Sequence, residues 1–435
     1  MDKLAMLGGH RAVPRTRRVL PWPQVTGEEE QAVSRALASG HYTVASTGEA
    51  EVTGLEREWA EYIGTAHCVA VSNGTAALSI ALTAAGIQPG DEVVVPALSF
   101  IASALAPLHI GAVPVFADID PVSFNATAET IEQVITPRTR AIVVVHLHGL
   151  PVDLDEILAL AERRGLLVIE DAAQAQGARY HERMVGSFGV VNSFSLNVAK
   201  NLPTCGEGGL INTDDPALYQ RAEMLRQFGE TLAGTDERSY VSHLPGWNHK
   251  PNTIQCAFTR AQLSRFEATS KIRTANVERL LGSLGELPGL QLPSCPTDRS
   301  HAWHILRFRL QPEAFGLAPN QAGALRTVMM KALRAEGVPA THYQLMPLPL
   351  QRAISGKASR ADFPNSYQVI EDSFSIQKAH LHPDAGPLLE SYAEAFGKVW
   401  QHRELIASYA AATEDVPPWE RANRLAEAEA AALGL

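Results

Sequence analysis

Residues 166–177 read LLVIEDAAQAQG, and residues 192–211 read NSFSLNVAKNLPTCGEGGLI. In the first stretch four apolar residues run straight into two acids, Glu170 and Asp171. A short apolar run bounded this way predicts a strand buried on both faces, with its carboxylates at the carboxyl end. In the second stretch a strand carrying Ser193 and Ser195 gives way to a short loop holding Lys200. Gly206, Gly208 and Gly209, around Glu207, then turn the chain into another strand.

The same alternation extends upstream. HCVAVS, EVVVP, PVFADI and AIVVVHLHG are separated by helical patterns such as TAALSIALTAAG and DLDEILALAERRG. Strands alternating with helices from about residue 66 to 213 predict an α/β unit, a mainly parallel sheet between helices. Downstream, FTRAQLSRFEATSKIRTANVERLLGSL reads as one long helix leading to a second domain. That domain contains HAWHILRFRL as a strand and QAGALRTVMMKALRAEG and LLESYAEAFGKVWQHRELI as helices. A chain of 435 residues exceeds what one core usually supports, which also favours two domains. The expected division is an N-terminal arm over 1–25, a large domain over 26–265, a small α+β domain over 266–408 and an Ala/Glu-rich helical tail over 409–435. The arm is rich in Gly, Pro and Arg and reads as extended, able to lie across a neighbouring subunit. The tail reads as solvated.

Composition excludes several classes. A formal net charge of -10 argues against a general nucleic-acid binder, which needs surplus Lys and Arg. The four cysteines are scattered without a CxxC pair, so neither a disulfide framework nor a structural zinc site is expected. No apolar run resembles a signal peptide or spans a bilayer, and a cytoplasmic enzyme is the expectation. His146 and His148 have the i, i+2 spacing of strand-borne metal ligands, but no third ligand cluster accompanies them, so no metal is expected.

Four segments carry chemistry. VAVSNGTAAL (69–78) takes a strand into a helix start at Asn73-Gly74-Thr75, where unpaired amides and the helix dipole favour a phosphate. An ordinary capped turn is the plainer alternative. Asp171 stands where open α/β sheets place ligands. A carboxylate there can accept from a protonated pyridine nitrogen, as pyridoxal phosphate enzymes require, or can simply cap a helix. Lys200 has no other charged residue between Gly189 and Cys205, which marks a lysine with a lowered pKa and a nucleophilic amine rather than a solvated side chain. In PGWNHKPN (245–252), Asn248 and Lys250 lie in a polar loop.

Taken together, these segments resemble the sugar and cyclitol aminotransferases of the DegT or StrS family, from about residue 5 to 405. ALASGHYTVASTGEAEVTGLEREWAEYIGTAHCVAVSNGTAAL, PALSFIASALAPLHIGAVPVFADID, VHLHGLPVDLD, EDAAQAQGA, FSLNVAKNLPTCGEGG and GWNHKPN carry the resemblance. It implies the fold of type I pyridoxal phosphate enzymes, with a seven-stranded sheet in the large domain. It implies that Lys200 binds pyridoxal 5'-phosphate as a Schiff base and shuttles protons, and that Asp171 pairs with the pyridine nitrogen. Gln174 would lie near the ring, Phe100 would stack on it, and Gly74, Thr75 and Ser195 would hold the phosphate. Asn248 matches a residue that reaches a phosphate in the neighbouring subunit, implying a homodimer with shared active sites. The family usually has Arg where this chain has Lys250, so a planar fork is replaced by a point charge. His301, His304, His342 and Tyr343 are placed by the resemblance near the substrate-facing wall, with His304, His342, Tyr343 and Lys250 as the substrate contacts.

The reaction so implied moves an amine from L-glutamate or L-glutamine to a keto-sugar or keto-cyclitol, in natural-product or cell-surface biosynthesis. The small-molecule donor and ketone are the expected partners, with no membrane. A dehydratase branch that replaces the lysine with His is disfavoured by Lys200. An aminohydroxybenzoate-synthase-like enzyme and a non-catalytic pyridoxal phosphate regulator are the alternatives. Glu207 reads as a structural part of its turn.

Overall fold

The computed structural model describes residues 3–44, 49–231, 240–354 and 357–433. Residues 45–48, inside the GHYTVASTGEA stretch, and the last two residues of the tail lie outside the described residues. In chain order the strands are β1 (His67–Val71), β2 (Glu92–Pro96), β3 (Val113–Ala117), β4 (Thr139–Val145), β5 (Leu167–Asp171), β6 (Arg179–Tyr180), β7 (Arg183–Met184), β8 (Asn192–Ser195), β9 (Gly209–Thr213), β10 (Leu290–Gln291), β11 (Ile305–Leu310) and β12 (Ser373–Gln377).

The central sheet has seven strands in the order β1-β9-β8-β5-β4-β2-β3. β9 runs antiparallel to both of its neighbours and every other pair is parallel. The link from β8 to β9 is the Lys200 loop, which has no helix to carry the chain back across the sheet, so β9 returns antiparallel. Alternate residues feed two separate cores. Ala70, Val94, Ile142, Val144, Val168 and Leu210 face one. Val69, Val93, Val95, Val143, Ile169 and Ile211 face the other. That two-sided burial is why these strands read as unbroken apolar runs. The helix Gly74–Ala84 is buried along most of its length and packs on β8 and β9, so its N-terminus is fixed against the strand ends.

The C-terminal part builds a core around the antiparallel sheet β10-β11-β12, with Phe308, Phe374, Phe396 and Trp400 inside it. Leu4 and Val13 from the N-terminal arm belong to this core. The Ala5 and Ala12 amides donate to the Glu336 carboxylate at 2.7 and 2.8 Å, and Lys398 pairs with the same group at 2.9 Å. The first part of the arm is thereby pinned to its own chain.

Two helix readings are corrected. The single long helix expected around residues 260–285 is two, Thr253–Ser264 and Phe266–Leu284, broken at Arg265 (φ -114°, ψ 4°). The Arg265 guanidinium donates to the Gln24 carbonyl at 2.7 Å and the Thr26 hydroxyl at 2.9 Å, so partners distant in sequence outweigh local propensity. The helix through LLESYAEAFGKVWQHRELI likewise divides at His402 into Gly386–Gln401 and Arg403–Ala411. The tail forms the helix Pro418–Leu433, yet its start is packed: Trp419 lies edge-on to Tyr367 at 4.9 Å, and Thr327 donates to Asp415 at 2.9 Å. No helix among the described residues is long and apolar enough to cross a membrane.

Candidate active site

A cavity of about 470 Å³ opens at the carboxyl ends of β5 and β8. The C-terminal part covers it with His304, Ile305, Tyr343, Gln377 and Lys378. Gly74, Thr75, Phe100, Asp171, Gln174, Ser195 and Lys200 all line it.

The wall on one side is the start of the helix Gly74–Ala84. The Asn73 side chain accepts from the Ala76 amide at 2.8 Å and its carbonyl accepts from Ala77, leaving the Gly74 and Thr75 amides nearest the cavity. A Cβ at Gly74 would stand 2.6 Å from Ser195 Cβ, so only glycine lets the helix start approach β8 this closely. Backbone amides, two hydroxyls and a helix N-terminus together suit a phosphate.

Asp171 ends β5 beside Ser193 of β8. The Ser103 hydroxyl donates to it at 2.9 Å, the Ala173 amide donates at 3.2 Å, and Ser99 joins Ser103 at 2.9 Å. Lys200 retains some contact with the cavity, yet protein surrounds it. Burial draws its ammonium down from 10.5 to about 8, with Asp171 and Glu207 opposing the shift. Phe100 is 56% exposed, an unusual position for a large aromatic and one that offers a ring face to the cavity.

Gln174 is held at both ends. Its carbonyl accepts from the His148 amide at 2.9 Å and its amide donates to Tyr343 Oη at 2.8 Å. Burial pushes the Tyr343 phenol upward and His304 well below its usual value, with the Lys200 charge adding to the effect on His304, so both are neutral at pH 7. His146 is accounted for by structure: its Nε2 meets Glu170 at 2.9 Å and its Nδ1 accepts from the Val152 amide. Glu170 also takes the amides of Gly186, Phe188 and Gly189. Neither His148 ring nitrogen has a protein partner among the described residues. His301 stacks on Trp303 at 3.9 Å, away from the cavity.

Besides His301, two residues expected at the substrate side, Lys250 and His342, do not line the cavity, and neither does Asn248, which the resemblance assigned to the neighbouring subunit's phosphate. Lys250 Nζ lies 2.5 Å from Asn248 Oδ1 and 4.3 Å above the Phe228 ring. Their loop is held against the helix start through His249, whose carbonyl accepts from the Ser72 amide at 2.9 Å. Burial draws His342 down to about 3, and its carbonyl takes the Gln377 amide at 3.2 Å.

Ser103, Asn197, Gln377 and Lys378 were not singled out from the sequence. Only Ser103 had a local signal, its i, i+4 spacing from Ser99 in ALSFIAS. Glu207, read as a structural part of its turn, accepts from Asn197 at 2.5 Å and also lines the cavity.

A wider, open groove of about 840 Å³ lies between the helices Gly27–Ser39, Glu51–Ile63 and Thr253–Ser264. It contains neither lysine nor histidine, and Arg260 in it is paired with Glu51 and Glu58. The chemistry therefore belongs to the smaller cavity, which combines an amine of lowered pKa, a buried carboxylate, an anion-binding helix start and an open aromatic face. That set fits pyridoxal 5'-phosphate, and the fold and site define a pyridoxal phosphate enzyme.

Residues 23–385 match the model of the DegT/DnrJ/EryC1/StrS aminotransferase family. The chain is 35% identical over 427 residues to the L-glutamine:scyllo-inosose aminotransferase of Streptomyces griseus, covering 92% of this chain and 97% of that protein. It is 36% identical over 372 residues to the dTDP-3-amino-3,4,6-trideoxy-alpha-D-glucose transaminase of Streptomyces venezuelae, covering 85% and 90%. The X-ray structure of an aminotransferase from Psychrobacter cryohalolentis superposes with a TM-score of 0.79 at 31% identity, covering 88% and 99%. The chain belongs to the DegT/DnrJ/EryC1/StrS aminotransferase family, and it is an aminotransferase. The cofactor of that family is pyridoxal 5'-phosphate, and solved relatives carry its pyridoxal and pyridoxamine forms.

Proposed function

We propose that this enzyme transfers an amine from L-glutamine or L-glutamate to the ketone carbon of a cyclitol or sugar. The observation that carries the reading is that Lys200 and Asp171 line one cavity beside the Gly74–Thr75 helix start. Bound there, pyridoxal phosphate supplies an electron sink for a substrate carbanion.

The protein's own groups have separable tasks. The Gly74 and Thr75 amides, with the Thr75 and Ser195 hydroxyls, hold the phosphate. Asp171, buried and kept in place by Ser103 and the Ala173 amide, keeps the pyridine nitrogen protonated. Phe100 would offer its ring face to the cofactor, and Gln174, oriented by His148 and Tyr343, would offer its amide beside it. Lys200 would hold the cofactor through its amine, and the same amine, when free, would serve as general base and acid for the proton at the reacting carbon. His304 and Tyr343 face the substrate as neutral hydrogen-bonding groups. Asn248 and Lys250, outside the cavity of their own chain, would serve a neighbouring subunit in a homodimer.

A cyclitol acceptor is supported by near full-length likeness to the L-glutamine:scyllo-inosose aminotransferase and by a net charge of -10, which suits a neutral polyol better than a nucleotide-linked sugar. The test incubates the pyridoxal-phosphate-loaded enzyme with L-glutamine or L-glutamate and a panel of keto-cyclitols and nucleotide-linked keto-sugars. Mass spectrometry should find a product with its ketone oxygen replaced by an amine, in step with the 2-oxo acid. A product that has lost further water would point to an aromatising enzyme. No aminated product from any pair would refute the reading.

A further inference from the structure

Lys378 follows directly on β12 and lines the cavity, with its side chain exposed. Its backbone is left-handed (φ 54°), a conformation that carries a steric penalty for any residue but glycine. The turn is locked on both sides. Gln377 donates to the His342 carbonyl at 3.2 Å, the Leu381 amide donates to the Lys378 carbonyl at 2.9 Å, and His380 bonds the Trp303 carbonyl at 2.7 Å. Against that fixed backbone the ammonium has no hydrogen bond or ion pair among the described residues.

The charges that the described residues of this chain itself bring to the cavity wall are Asp171, Glu207, Lys200 and Lys378. Asp171 is engaged by Ser103 and Ala173, and Glu207 by Asn197. Lys200 gives its amine to the cofactor. An amino-acid donor must bring a carboxylate into this space, where two anions already repel it, and a partly desolvated carboxylate requires a cation.

We propose that Lys378 is the docking cation for the carboxylate of the amino-acid donor and of the 2-oxo acid the donor becomes. This rests on the amino-acid donor argued above. The left-handed turn fixes the root of the side chain at the cavity wall while its four-carbon stem remains free to move. When a neutral polyol takes the donor's place, the same ammonium can donate to its hydroxyls, because a lysine offers three rotatable donors.

The test uses the loaded enzyme and the variants Lys378→Met, Lys378→Gly and Lys378→Arg. Glutarate, an unreactive dicarboxylate, is titrated calorimetrically, and the donor KM is measured alongside. Met and Gly should each weaken glutarate and raise the donor KM by roughly tenfold, the loss expected for one charge-assisted hydrogen bond. Arg should recover most of both. Lys378→Gly should melt no lower than the wild type, because glycine relieves the backbone penalty. Wild-type turnover with glutarate affinity and donor KM unmoved in Lys378→Met would overturn the proposal alone. So would a loss confined to cofactor retention, which would assign the ammonium to the phosphate. A wild type that releases no 2-oxo acid from any amino acid would refute the donor reading, and the proposal with it.

Discussion

The indole Nε1–H of Trp22 donates to the main-chain carbonyl of Lys200 at 3.0 Å, joining residues 178 positions apart. The arm that carries Trp22 begins in the C-terminal core, where Glu336 accepts from the Ala5 and Ala12 amides. A single segment thus ties that core to the loop holding Lys200. Trp22→Phe keeps an aromatic ring and removes the donor, at a cost of about 1 kcal/mol. We expect kcat to fall by a few fold, with thermal unfolding shifted by only a few degrees. An unchanged kcat would mean the loop needs no support from the arm.

Without cofactor, the Lys200 amine titrates at about 8 rather than 10.5, because burial penalises the ammonium. Only the neutral amine attacks an aldehyde, so capture of pyridoxal phosphate by the apoenzyme should speed up as pH rises through about 8 and level off above it. In Lys200→Ala, borohydride reduction should no longer fix the cofactor at residue 200. Stopped-flow absorbance gives the first result and peptide mass the second. A capture rate that keeps climbing to pH 10 would contradict the burial argument.

Gly74→Ala would place a methyl group 2.6 Å from Ser195 Cβ. The helix start and β8 must then separate, at a cost of about 1–3 kcal/mol in stability. Cofactor affinity should drop with it, since the phosphate loses its cradle. Equilibrium dialysis of pyridoxal phosphate would expose an error if the variant bound it as tightly as the wild type.

Asp171→Asn keeps the shape and loses the charge that favours a protonated pyridine nitrogen. Ser103→Ala removes one neutral donor and leaves the Ala173 amide in place. Release of 2-oxo acid in the first half-reaction should fall by about 10²–10⁴-fold in Asp171→Asn, and by about tenfold or less in Ser103→Ala. The reverse ranking would mean that Asp171 acts through position rather than charge.

Much of this was legible in the chain itself. The runs AIVVV up to Val145 and LLVI before Glu170 and Asp171 are apolar at consecutive positions, and strands of that kind must be covered on both sides, so a mainly parallel sheet follows from the sequence. Of Asp171, Lys200 and Gly74 only Lys200, without charged neighbours, departs from a local rule; a strand-end carboxylate and a helix-start glycine have plain structural readings and became legible through the ordered set of motifs. Lys378 and Trp22 break none that can be seen locally. Lys378 owes its place to a left-handed turn and Trp22 to a bond across 178 residues, and both arise only when distant segments close on each other.

The helix break at Arg265 has the same origin. Its guanidinium is satisfied by Gln24 and Thr26, over two hundred positions away, and no propensity over 253–284 anticipates those partners. Lys250 shows the opposite limit, for the resemblance named it as a substrate contact while the folded chain keeps it outside its own cavity. The sequence by itself therefore determined the sheet through burial periodicity, and its ordered motifs, through the resemblance they carry, singled out Lys200 and Asp171. Tertiary structure alone decided the neighbours that no motif named, such as Trp22, Gln377 and Lys378, because they depend on contacts whose sequence separation hides them from any local pattern.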